Sequence, residues 1–259
     1  MIKEISPYLV REGLADHLRI YASLPSTNTT AKELAVQGAP HGTVLIADGQ
    51  TAGRGRYGRV FYSPAGSGLY MSVILRPPFL CLTDMTRLTA AAAVAVCRAV
   101  YSVCGLDVQI KWVNDILLDG KKVAGILTES MTGSGSGQPD WAVVGIGINV
   151  TTARFPEDLK GIAGALLPPG ADHSPGADHS PGADHSPGAD HSPGADHSPG
   201  ADRPLGSARG RLAAELINLL LTSGDWLNGK DVMEEYKSRM ALQSLSSGAV
   251  SVKNEERTK

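Results

Sequence analysis

Cysteine is scarce: only Cys81, Cys97 and Cys104 occur in 259 residues, and no Cys-x-x-Cys or Cys/His spacing is present. An odd, sparse set in or beside apolar stretches argues against a metal site and points to a reducing cytoplasm. Excess positive charge is lacking too. Twenty-four Lys and Arg against 26 Asp and Glu leave a formal net charge of −2. No global basic field can hold a polyanion, and any basic cluster must act locally. Long apolar runs are also missing, and the N-terminal MIKEISPYLVREGLADHL has no signal-like apolar core. A soluble cytoplasmic protein with no membrane partner is expected. The length suits one large α/β domain, or a domain with a small appendage.

What is present begins with a repeat. The hexapeptide PGADHS runs through five full copies from Pro169 and ends in the partial copy Pro199–Asp202, taking five of the seven histidines. Repeated Asp-His pairs could bind metal. Against that, alanine is the only apolar residue per repeat, so no face can be buried to offset ordering entropy. The segment reads as a flexible, disordered insertion. Elsewhere the patterns are regular. LRIYA and GTVLIAD read as strands flanking a helix, STNTTAKELAVQ, with Ser26 as its N-cap. GLYMSVIL reads as a buried strand, and residues 83–104 as an alanine-rich helix opened by Thr83 and stopped at Gly105. VQIKWVNDILLDGKKVAGILTES reads as strands with a hairpin at Asp119-Gly120, GSGSG as a second hairpin loop, and WAVVGIGINV as a buried strand. RLAAELINLLL and KDVMEEYKSRMAL carry apolar residues at helical spacing. The expected fold class is α+β, with a mixed, mainly antiparallel sheet and helices packed on one side.

Four groups could carry chemistry. The first is GRGRYGR at 53–59, where three arginines alternate with three glycines. It lacks the Gly-Lys-Ser/Thr ending of a Walker loop, and no helix follows it as in a Rossmann turn. Glycines let the backbone approach phosphate oxygens, and arginines offer matching forked donors. A loop of this kind can close over a phosphate-bearing ligand. The alternative of an RNA contact normally needs several such repeats with stacking aromatics. The second group is Lys111, Asp115 and Lys122, where strands meet turns. A carboxylate with two lysines fits nucleotide chemistry, Asp115 for Mg²⁺ and a lysine for developing phosphoryl charge, though each could be a solvated hairpin charge. The third is Ser26-Thr27-Asn28 with Gln50, neutral groups able to fix a small uncharged polar ligand, while capping explains Ser26 equally well. The fourth is Gly145, Gly147 and Asn149, where glycines permit close approach by a ligand or a backbone, or form a bulge.

Taken in order, STN, GQTAGRGRYGR, KWVND, GKKVAGIL and GIGIN resemble the biotin protein ligases, over about Leu18 to Val150. The resemblance implies a class II synthetase-like catalytic fold and a two-step reaction. Biotin is activated by ATP as biotinyl-5′-AMP, then passed to a lysine of a biotin carboxyl carrier protein. It implies Ser26, Thr27, Gln50, Gly53, Arg54, Lys122 and Gly125 around biotin. It implies Arg56, Arg59, Phe61, Lys111, Asn114 and Asn149 around the nucleotide, and Asp115 at Mg²⁺. Arg54, Arg56, Lys111 and Lys122 are the implied catalytic cations. Val113 replaces the usual proline of KWPND, and Phe61 stands where tryptophan is common. The expected layout is a catalytic domain over 1–240, with residues 169–202 inserted, and a short tail at 241–259 too short for the family's SH3-like barrel. No DNA-binding domain is expected, and a homodimer is compatible with the pattern. Two rivals stay open: a lipoate or octanoate ligase or transferase of the same fold, and a non-catalytic binding protein on a decayed ligase fold.

Overall fold

A computed structural model describes residues 1–76, 84–132, 139–171, 207–222 and 230–241. The GSGSG loop, the repeat beyond Ala171, the tail beyond Ala241, Cys81 and Thr83 lie outside the described residues.

A single turn, α1 (Ile2–Ile5), leads by short 3-10 turns into strand β1 (Leu18–Leu24). Helix α2 (Thr27–Val36) then carries the chain to β2 (Val44–Gln50), which lies parallel to β1. Ser26 starts the helix as expected: its backbone is extended and its Oγ accepts from Thr29 N at 3.4 Å. Arg76 closes the other end, its guanidinium donating to the carbonyls of Ala35 and Ala39, where a cation also suits the helix dipole.

Strand β3 (Gly68–Leu75) is buried along its whole length. Helix α3 (Asp84–Cys104) is followed by β4 (Gln109–Lys111), β5 (Asp115–Leu118), β6 (Lys121–Thr132) and β7 (Pro139–Asn149). The β5–β6 turn is the two-residue Asp119-Gly120, both at positive φ (49° and 76°), as a primed turn matched to strand twist requires. After residue 171 come α4 (Ala208–Leu221) and α5 (Lys230–Ser238). The sheet order is β1-β2-β3-β7-β6-β5-β4, and every pair except β1/β2 is antiparallel. This is the mixed, mainly antiparallel sheet expected from the strand patterns.

Strand alternation explains why β3 is apolar on both sides. Leu69, Met71, Val73 and Leu75 face the large core with α3 and α4, joined by Val144, Ile146 and Ile148 of β7. Ile74 and Val143 face the other way, with Leu45, onto Ala31 and Ala35 of α2. The expectation of helices on one side therefore holds for α3, α4 and α5, while α2 lies on the opposite face. The expected last helix also ends sooner, at Ser238. Residues 239–241 instead run beside β4, with Ile110 N donating to Arg239 O and Ala241 N to Ile110 O. Edge pairing with β4 wins over a further helical turn.

Candidate active site

The α2 face of the sheet carries the site. On β6 and β7, Gly125, Gly145 and Gly147 fall at alternate positions on this face, because Gly125 pairs with Gly147 and Leu127 with Gly145. Three glycines make a floor without side chains. Two groups of this chain descend onto it. A Cβ at Gly145 would lie 2.0 Å from Asn28 Oδ1, and one at Gly147 would lie 2.6 Å from the Phe61 ring. The close approach expected at these glycines is made by the protein's own side chains.

Around Asn28 runs a chain of hydrogen bonds, neutral except where it meets Glu129. Thr27 N donates to Gln50 Oε1 at 2.8 Å, and Gln50 Nε2 donates to Ser63 Oγ at 2.9 Å. Ser63 Oγ donates to Phe61 O, and Ser72 Oγ contacts Thr27 Oγ1 at 2.8 Å and Asn28 Oδ1 at 2.7 Å. Asn28 Nδ2 donates to Leu127 O and Glu129 Oε2, which uses both of its hydrogens. Ser26, Thr27, Asn28, Ser63 and Ser72 are all buried. A wall of oriented, uncharged donors and acceptors results, suited to a small polar ligand without charge.

A lysine stands at the other end of the floor, paired with a carboxylate. Lys122 Nζ lies 5.8 Å from the Phe61 ring centre and 2.6 Å from Asp115 Oδ1. Gly125 lies close beneath both, since a Cβ would meet Lys122 Cε at 3.2 Å and Phe61 at 3.3 Å. Gly145 and Gly147 are two residues apart, so the neutral wall and the cationic end are separated by roughly 7 Å of strand.

GRGRYGR turns out to be a small hairpin. Phe61 N donates to Gly53 O at 2.9 Å, Gly55 N donates to Arg59 O at 2.7 Å, and Arg54 bridges Val60. Tyr57 and Gly58 turn the tip at positive φ. Gly53 must be glycine because a Cβ would meet Phe61 O at 2.3 Å and Ser63 Oγ at 2.6 Å. The three arginines do not converge on one point. Arg54 reaches Glu129 at 3.5 Å, Arg56 donates to Asn114 Oδ1 at 3.3 Å and stacks on Tyr57, and Arg59 is exposed.

The remaining expected residues are placed as follows. Asn114 Nδ2 donates to Ile126 O and Asn114 O accepts from Ile126 N, both at 2.9 Å, which fixes the β4–β5 turn. The Trp112–Val113 peptide in that turn is cis. Lys111 is exposed at the end of β4, opposite Asp115 in register. Asn149 Nδ2 donates to Gly164 O, while its buried Oδ1 has no protein partner. Ser26 serves as the helix cap. Among the described residues no group of three or more His, Cys, Asp or Glu could cage a metal. A cleft of about 430 Å³ lies between Asp107–Gln109 and Glu235–Met240, sharing no lining residue with this site.

Several members were not foreseen: Ser63, Ser72, Lys32 and Glu129. Ser72 had a signal, a serine among the apolar residues of GLYMSVIL. Glu129 had none. Burial works to raise its pKa, but hydrogen bonds from Lys32 and Asn28 and the charges of Lys32 and Arg54 outweigh that and hold the carboxyl below its ordinary range.

A profile of the biotin/lipoate A/B protein ligase family matches residues 20–149, half of the chain. The chain belongs to that family. The matched span contains the glycine floor, the neutral wall and the arginine hairpin. Among relatives in this family, the bifunctional ligase/repressor BirA of Bacillus subtilis is 46% identical over 165 residues, 63% of this chain and 50% of that protein. The biotin–[acetyl-CoA-carboxylase] ligase of Mycobacterium tuberculosis is 38% identical over 154 residues, 58% and 54% of the two chains. The chain thus spans about half the length of the curated relatives it matches. Among solved structures, biotin protein ligase from Aquifex aeolicus, in complex with biotin and ATP, is similar at a TM-score of 0.61 and 26% identity, covering 86% of this chain and 78% of that one.

Proposed function

We propose that the protein is an ATP-dependent biotin ligase that forms biotinyl-5′-AMP and transfers the biotinyl group to a lysine of a biotin carboxyl carrier protein. The observation that carries this reading is the pairing of a buried neutral wall with a cationic end across a glycine floor. A ligand with an uncharged polar head and a carboxylate a few carbons away fits that layout. The Aquifex aeolicus neighbour, solved with biotin and ATP, supports the same assignment.

In the first half-reaction, a biotin carboxylate oxygen attacks the α-phosphorus of ATP and pyrophosphate leaves. Two anions must approach, so positive charge at the reacting phosphate is the main demand. Lys122 and Arg54 supply it in this reading, with Gly53 and Gly125 admitting the ligand closely and Ser26, Thr27 and Gln50 on the head-group side. Arg56, Arg59, Phe61, Lys111 and Asn114 face the nucleotide. In the second half-reaction, the carrier lysine amine attacks the anhydride carbonyl and AMP leaves. A hairpin lid keeps water from the anhydride until then.

ATP suits the residues present, since the orphaned Oδ1 of Asn149 is buried and awaits a donor such as an amine. For Mg²⁺ the described residues around Lys122 offer the Asp115 carboxylate, and Mg²⁺ is commonly held by one or two carboxylates plus substrate phosphates. Bound there, it would neutralise phosphate charge.

Biotin-dependent exchange of labelled pyrophosphate into ATP tests the reading. Exchange with lipoate and not biotin would favour the lipoate rival, and exchange with neither would favour a non-catalytic protein.

A further inference from the structure

Glu129 is an anion set among cations in a site built for anions, and nothing above assigns it a task. Its carboxylate joins segments far apart in sequence. Oε1 accepts from Lys32 Nζ at 2.6 Å and lies 3.5 Å from Arg54 Nη2, while Oε2 accepts from Asn28 Nδ2 at 3.0 Å. Lys32 and Asn28 belong to α2, Arg54 to the hairpin base, and Glu129 to β6.

The two cations are held differently. Lys32 is close and its side chain is largely covered, at 26% exposure, whereas the Arg54 side chain is 48% exposed and sits at long range. A partly exposed pair at that distance is weak and can be exchanged for a better anion. Lys32 keeps Glu129 neutralised after such an exchange. We infer that Glu129 is a positioning residue that parks Arg54 at the base of the hairpin, facing the glycine floor, and releases it to the anionic ligand as the site fills. Lys32 is the permanent counter-ion and Asn28 fixes the carboxylate's orientation. The carboxylate stays ionised throughout, consistent with the downward pull on its pKa from the same three partners.

The inference rests on the biotin-ligase reading for its kinetic consequence, and on geometry alone for its structural one. Glu129→Gln keeps an oxygen for Asn28 and removes the charge that holds Arg54, so it is preferred to alanine. The structural arm is limited trypsin cleavage of the ligand-free full chain, with Tm measured alongside. Cleavage after the hairpin arginines should rise about threefold in E129Q, on the scale of one partly exposed ion pair. An unchanged hairpin cleavage rate overturns the inference, and so does a rise at all sites with a lowered Tm, which marks general loosening.

The kinetic arm measures single-turnover adenylate formation in wild type, E129Q, R54A and the double variant. E129Q should lower the rate about tenfold with the ATP KM unchanged or reduced, since the site gains net positive charge while its arginine loses its preset position. The loss should vanish in the R54A background. An equal loss in both backgrounds, or a raised ATP KM in E129Q, overturns the inference. If wild type itself forms no adenylate, the ligase reading fails and the trypsin arm still decides whether Glu129 holds Arg54.

Discussion

Replacing Gly145 with alanine adds one methyl group to the chain, yet the structure makes it a severe change. The new Cβ would lie 2.0 Å from Asn28 Oδ1, 2.7 Å from its Cγ and 2.9 Å from its Nδ2. Asn28 cannot yield cheaply, because its amide is pinned by Ser72, Leu127 and Glu129 and the residue is 4% exposed. Expelling it breaks two neutral hydrogen bonds at about 1 kcal/mol each and one to a carboxylate at about 1.5–3 kcal/mol. These values are already net of exchange with water, so the destabilisation should be about 3.5–5 kcal/mol. At about 2–4 °C per kcal/mol, Tm should fall by about 7–20 °C. Chemical denaturation of wild type, G145A, N28A and the double variant provides the check. With Asn28 gone there is nothing to collide with, so N28A/G145A should be within about 0.5 kcal/mol of N28A. Additive losses would refute the collision argument, as would a G145A variant as stable as wild type.

Further outcomes follow from the same geometry. Gly147→Ala meets the half-buried Phe61 ring, which can swing aside. It should cost only about 1 kcal/mol in stability, on the scale of a small overpacking, and biotin affinity by calorimetry should suffer more than Tm. Lys122→Ala should slow adenylate formation about a hundredfold, as loss of one preorganised donor does; an unchanged single-turnover rate counts against its role. Arg56→Gly removes the tie to Asn114 and should let free biotinyl-AMP escape, seen by chromatography of the reaction mixture. Stability should also depend on pH. At Glu235, as at Glu129, burial favours protonation, but hydrogen bonds and the charges of neighbouring arginines or lysines prevail and hold both carboxyls below their ordinary range. Groups with depressed folded values contribute fully above their unfolded pKa and lose that contribution as pH falls through the folded one. Tm between about pH 6 and about pH 3 should therefore fall more steeply in wild type than in E235Q, and parallel curves would refute the pairing with Arg98 and Arg239.

Local chemistry made much of the fold legible. The Asp119-Gly120 turn, the Ser26 cap and the largely apolar β3 each follow from residues adjacent in sequence. The arginine motif was legible as a glycine-rich loop of cations, though its hairpin form was not, because the pairing of Gly53 with Phe61 depends on a ladder that begins at Gln50 and Ser63. The placement of α2 was also out of reach. Both faces of β2 and β3 are apolar, so alternation alone does not tell which face a given helix covers.

The sequence by itself determined the element types, the glycines of the floor and the cations that stand over it, since these depend on periodicity, turn chemistry and spacing within single segments. Only the tertiary structure decided that Asn28 would lie on Gly145, that Phe61 would lie on Gly147, and that Glu129 would gather Lys32, Asn28 and Arg54. Those contacts join segments up to about 120 residues apart, and they exist because the strand order sets β7 between β3 and β6 and the β6–β7 register sets Leu127 opposite Gly145. A shift of that register by one residue would turn the floor to the other face of the sheet.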